Sequence, residues 1–157
     1  MAQAAKSQQQ KAGLSSRRRR DLDSYEERDE TWAVFDRDEH PRFQEAVDLC
    51  LQVGIGVARS NPCFEVWLIL HFEKFERPDD RHRVQKRLEV LCPDYSADKG
   101  KKPDFSKFMD AIGKAEHKAE AQLEARKAEG APFGAPSTTV FELTRKIRQT
   151  LEEFSKK

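Results

Sequence analysis

Thr31-Trp32-Ala33-Val34-Phe35-Asp36-Arg37-Asp38-Glu39-His40-Pro41 is the stretch on which the fold turns. Its first five residues are short, apolar and rich in β-formers, which predicts a strand, and the charged run to Pro41 ends it abruptly. From Phe43 onward Ala46, Val47, Cys50 and Leu51 recur at three- and four-residue intervals, one face of a helix that stops near Gly54. Ile55-Gly56-Val57-Ala58 reads as a second buried strand. Strand, acidic turn, amphipathic helix and strand form a βαβ unit whose strands are expected to be parallel neighbours with a right-handed crossover. Asp36 then falls at the carboxyl end of the first strand, the edge of an open α/β sheet where ligands bind. The expected fold class is therefore α/β, a small parallel sheet around this βαβ core followed by a mainly helical C-terminal half.

Downstream, Ser60-Asn61-Pro62-Cys63-Phe64-Glu65-Val66-Trp67-Leu68-Ile69-Leu70-His71-Phe72 is apolar on nearly every side, as a helix in mid-core must be, with Asn61 as N-cap and Pro62 at its first position. A charged helix is expected from about Asp80 to Leu91, stopped by Pro93. Another carries Phe105, Phe108, Met109, Ile112, Ala115, Ala119 and Leu123 on one face. Its last turns, Glu116 to Glu129, are mostly Ala, Glu, Lys and Arg and are expected to project into water or lie lightly on the body. A final helix starting at Ser137 or Thr138 is expected to bury Val140, Leu143, Ile147, Leu151 and Phe154.

Upstream, residues 1–28 are polar and basic, contain the run Arg17 to Arg20, and offer few bulky apolar groups, so a mobile tail is expected before a single domain over 29–157. The whole chain has 157 residues, with 29 basic and 28 acidic side chains that nearly cancel, so bulk charge gives no reason to expect a polyanion binder. Cys50, Cys63 and Cys92 are odd in number and widely spaced, which fits reduced core thiols better than a disulfide or zinc framework. No apolar run approaches the ~18 residues a membrane span needs, and no apolar signal segment opens the chain, so the cytoplasm is the expected location.

Five groups of residues can carry chemistry. Asp36 and Asp38, on alternate residues leaving a strand, bring two hard oxygen ligands round one point, which suits Mg²⁺ or Mn²⁺. The alternative is an acidic turn that solvates the chain and caps the next helix, and His40 beside it is a further ligand or a solvated turn residue. Glu65 is the one carboxylate in an apolar helix core and needs a partner: it is a general base or metal ligand tuned by burial, or a structural residue bonded to Arg59, backbone amides or His71. His71 near the helix end is a catalytic candidate or a packed or helix-terminus imidazole favoured there by the dipole. Arg37 and Arg59 can steady a phosphate, which Ser60, Asn61 and the amides beyond them can also receive. The Arg17 to Arg20 run can meet nucleic-acid phosphates or simply be a soluble tail.

The blocks Trp32 to Asp38, Ser60 to Phe72 and Pro136-Ser137-Thr138-Thr139-Val140 together resemble the RloB family of prokaryotic defence proteins, from about Tyr25 to Phe154. The middle block is long and unusual enough to be specific. The resemblance implies a fold related to Toprim, metal-dependent phosphodiester cleavage of DNA or tRNA, and a neighbouring AAA-type or ABC-type ATPase from an abortive-infection or restriction-linked locus. The family usually opens with a strand followed by a Glu-Gly and a Thr-Glu pair, which stand nowhere before Asp36. Two function classes are thus expected: a Mg²⁺-dependent Toprim-like nuclease, or a non-catalytic or truncated subunit that binds and regulates the ATPase.

Overall fold

The computed structural model describes residues 29–37, 40–100 and 102–156. Its elements run β1 (Trp32–Asp36), α1 (Phe43–Gln52), β2 (Gly56–Asn61), α2 (Glu65–Leu70), α3 (Arg81–Leu91), α4 (Ser106–Met109), α5 (Ile112–Ala128), β3 (Ser137–Thr138) and α6 (Val140–Ser155). The strand order is β1-β2-β3, so the protein is a mixed α/β fold around a three-stranded sheet. The expected tail over residues 1–28, with the Arg17 to Arg20 run, lies outside the described residues, as does Asp38. No helix among the described residues is long and apolar enough to cross a membrane.

The chain divides into two compact units, one of residues up to Val34 with His40–Val57 and one of Phe35–Glu39 with Ala58–Lys157. In the first, α1 forms where the three- and four-residue spacing places it, burying Val47 and Cys50. It ends as Gly54 takes a φ of +74°, a left-handed conformation that glycine adopts without steric cost. The Gly56 N–H donates to Thr31 O (3.0 Å), and the Trp32 ring lies directly on Gly56. A methyl group built there would stand 2.6 to 2.9 Å from the indole carbons. Gly56→Ala is therefore expected to cost about 1–3 kcal/mol through overpacking. An unchanged urea midpoint would show that the ring moves freely aside.

In the second unit the Arg37 N–H donates to Ser60 O (2.8 Å). This bond and the one between Thr31 and Gly56 advance along β1 and β2 in the same sense, which is parallel pairing. The sheet as a whole is not parallel. Beside β2 lies β3, antiparallel, with Ser60 opposite Thr138 and Asn61 opposite Ser137. That pairing corrects two expectations. Asn61 is the last residue of a strand and not a helix cap, so α2 begins only at Glu65. Likewise Ser137 and Thr138 belong to a strand, and α6 starts at Val140.

The core of this unit is α2, whose Val66, Trp67, Leu68, Ile69 and Leu70 are all buried, packed on α3 and α5. The start of α3 is where the sequence puts it, with the Asp80 carboxylate accepting from the Arg83 N–H (3.0 Å) at the cap. The helix expected from Phe105 onward is broken. An Ala111 N–H to Phe108 O bond (3.1 Å) tightens the chain between α4 and α5. There Phe108 turns into an edge-on aromatic cluster with His71 and Phe72, leaving Phe105 and Met109 exposed.

The later turns of α5 also differ from expectation. As far as Leu123 they are packed, because Glu116, Ala119, Gln122 and Leu123 are buried, and from Glu124 to Glu129 they are exposed or half-buried as expected. Glu116 accepts from Thr144 Oγ1 (3.0 Å) and Arg148 (3.0 Å) of α6, and Gln122 donates to Phe75 O. On α6 only Val140 and Phe141 are buried, whereas Ile147, Leu151 and Phe154 are exposed. The stripe leaves the body after its first turns. Cys50, Cys63 and Cys92 are all buried and unbridged.

Candidate functional site

Within the second unit several of the singled-out residues gather where β1 and β2 end. Asp36 closes β1, half-buried. On the neighbouring strand Ser60 is buried with its hydroxyl 2.9 Å from Thr138 Oγ1. One residue earlier, the Arg59 N–H donates to Thr139 Oγ1 (3.0 Å) while its carbonyl accepts from the Thr139 N–H (2.8 Å). These bonds stitch β2 to the segment that opens α6.

The residue that organises the polar edge is Phe133, which no sequence pattern singled out. Its carbonyl accepts from Asn61 Nδ2 (2.8 Å) and from an Arg37 guanidinium nitrogen (3.5 Å). Its ring carries the Arg59 guanidinium, 3.1 Å from the centroid, in a cation–π stack. Phe133 has a φ of +66°, rare for a residue with a side chain, so the backbone is held there against its preference. The one available cue was an aromatic residue in a loop of glycine, alanine and proline, Gly130-Ala131-Pro132-Phe133-Gly134-Ala135-Pro136. Arg37, Arg59 and Asn61, three of the four candidate phosphate contacts, thus share one anchor.

Glu65 opens α2 close by. Its Oε1 accepts from the Tyr95 hydroxyl (2.6 Å) and Gln85 Nε2 (3.1 Å), and the Cys63 thiol donates to the same carboxylate. Burial pushes the Glu65 carboxyl up, but the three donors outweigh it and hold the group below its ordinary 4.5. Conversely, burial and then the Glu65 charge push the Cys63 thiol well up, and Asp36 adds to that rise. Asp36, Cys63 and Glu65 therefore share one electrostatic neighbourhood. Tyr95 is likewise pushed up, by burial first and by its bond to Glu65 second.

Tyr95→Phe removes a charge-assisted bond and is expected to cost about 1–2 kcal/mol at pH 7, less than a fully buried case because the site is partly solvated. Glu65 has a depressed folded pKa, so its contribution is complete above the unfolded value of 4.5 and is lost as pH falls through the folded value. The gap between variant and native chain should accordingly close in acid. Urea titrations at pH 7 and in acid check this, and a gap independent of pH would remove Glu65 from the account.

His71 stands apart from this group. Six residues further along the helical turns is about 9 Å of axial rise from Glu65. The imidazole is buried, edge-on to the Trp67 ring (4.7 Å) and the Phe108 ring (5.1 Å), and its Nδ1 donates to Trp67 O (3.0 Å). Burial pushes its pKa down, so it is neutral at pH 7. His40 is exposed in the other unit.

Among the described residues no three His, Cys, Asp or Glu side chains are grouped to hold a metal ion. Mg²⁺, however, is commonly held by one or two protein carboxylates, with water and phosphate oxygens completing its shell. Asp36 at a strand's carboxyl end fits that smaller donor set.

The family described as RloB-like protein matches residues 2–147, nearly the whole chain. The chain belongs to the RloB-like family. The match covers β1 to β3 and the first half of α6, and it begins well upstream of Tyr25. No curated protein and no solved structure matches the chain.

Proposed function

We propose that this RloB-like protein is the Mg²⁺-dependent or Mn²⁺-dependent, Toprim-like nuclease component of a prokaryotic antiphage, abortive-infection system. It works in the cytoplasm on DNA or tRNA, beside an AAA-type or ABC-type ATPase. The observation that carries the reading is the position of Asp36, at the carboxyl end of a strand with a parallel neighbour and one residue before Arg37, which shares the Phe133 anchor with Asn61 and Arg59.

In this reading Asp36 and Asp38 hold the cation. A bound divalent cation would supply Lewis-acid polarisation of the phosphodiester and a more acidic water. The chain's own residues do the rest. Arg37 and Arg59 bind and orient the phosphate, and Asn61, tied to the Phe133 carbonyl, keeps the edge rigid. The carboxylate of Glu65 is kept ionised by its three donors, so it adds negative charge near the metal site and is the candidate proton acceptor. His71, enclosed by aromatic rings, supports the α2 end of the core.

The test is calorimetric titration of the chain with Mg²⁺ and Mn²⁺, native against Asp36→Ala and Asp38→Ala. Loss of binding in both variants supports the reading, and binding retained in both overturns it. A second reading, a non-catalytic or truncated subunit that binds and regulates the ATPase, draws on the exposed Phe72, Phe105 and Met109 around buried Phe108. It predicts that partner-dependent activity survives Asp36→Ala.

A further inference from the structure

The second half of α6 carries an apolar stripe that stands largely exposed among the described residues. Ile147, Leu151 and Phe154 recur at intervals of four and three and are 51%, 60% and 49% exposed. Leu143 extends the row toward the body, where it is half-buried. A helical wheel sets the flanks of this row. On one flank Thr144, Arg145 and Arg148 are turned to α5, where they bond to Glu116 and Glu120. On the other lie Lys146 and Glu153, both exposed and seven residues apart, hence two turns apart on the same side.

We propose that this stripe is the contact face of a two-fold symmetric dimer, in which α6 of one copy packs antiparallel on α6 of a second. The argument is the charge pattern. A two-fold axis crossing the helix near residue 149 places Ile147 against Leu151 of the other copy and Leu143 near its Phe154. The same operation brings Lys146 opposite the other copy's Glu153, and symmetry repeats the pair, so both flanking charges are matched by one rotation. Parallel packing has no such match. It turns the Lys146 flank toward the side that carries Arg148, where like charges meet, whereas the antiparallel rotation sets Arg148 only against its own symmetry copy, with each guanidinium held by Glu116. The row's apolar residues also read nearly the same in both directions, which an isologous contact requires.

A contact of about three helical turns buries less than the ~1,200 Å² typical of the smallest stable interfaces, so the association is weak and concentration-dependent. Sedimentation equilibrium of the full chain from micromolar to near-millimolar concentration is expected to show a reversible monomer–dimer equilibrium. Leu151→Asp should leave a monomer with an unchanged circular dichroism spectrum, since the position is exposed in the monomer. Lys146→Glu and Glu153→Lys should each weaken the dimer about tenfold, ~1.4 kcal/mol, and the double exchange should restore it. A native chain that stays monomeric throughout would overturn the proposal and leave the stripe to a different partner. So would a dimer indifferent to Leu151→Asp, or a double exchange that fails to rescue the single ones.

Discussion

If the proposed site holds Mn²⁺, Asp36→Ala is expected to lower the affinity by more than about a hundredfold while costing the fold only about 1 kcal/mol. The first figure follows from how few ligands such a site has. Groups that merely orient a ligand are worth 10–100-fold in metal affinity, so one of two direct carboxylates must be worth more. The second follows from the strand's end. The bond that joins it to β2 runs from the Arg37 N–H to Ser60 O, backbone to backbone, and survives the loss of the Asp36 side chain. Because Asp36 is one of the charges that raise the Cys63 thiol, the substitution should also make that thiol more acidic. Calorimetry and chemical unfolding separate the two effects. Undiminished heat of binding in a folded variant would remove Asp36 from the site.

For stability the largest single loss is expected at Ile69. It is fully buried in α2, the helix against which both α3 and α5 pack. Ile69→Ala deletes three carbons from a place where neighbours on two sides belong to different helices and cannot all close in. The expected cost is about 3–4 kcal/mol, lost transfer energy plus a residual cavity, against about 1 kcal/mol for Ile69→Val. Domains of this size have about 5–15 kcal/mol in total, so the variant should be close to its unfolding threshold at moderate temperature. Urea unfolding measures it, and a loss below ~1 kcal/mol would mean the core around α2 repacks freely.

Elements set by local pattern were legible in the sequence. The run ending at Asp36, the spaced apolar residues up to Gly54 and the Asp80 cap each carry their signal within a few residues, and β1, α1 and the start of α3 are where those signals place them. What the sequence hides is pairing over distance. Ser137 and Thr138 make a two-residue strand with no periodicity of its own, defined only by Ser60 and Asn61 across the sheet. Glu65 announces itself as a carboxylate in need of partners, yet nothing local says that Gln85 and Tyr95 supply them. Glu116 and Gln122 looked like solvent-facing residues because their helix is rich in alanine and charge. Their burial depends on α6 and on the Phe75 carbonyl. For α6 the error ran the other way: periodicity shows which residues share a face, not what that face meets.

The Phe133 carbonyl takes hydrogen bonds from Arg37, 96 residues upstream, and from Asn61, 72 residues upstream. During synthesis the ribosome releases both donors long before their acceptor exists. Contacts of such sequence separation form late, after the loop-closure entropy has been met by other parts of the core. The polar edge is consequently assembled last. A nascent chain halted anywhere before residue 133 has Arg37 and Asn61 without the carbonyl that anchors them and Arg59 without the ring it stacks on, so arginine alignment comes only with the chain's final quarter.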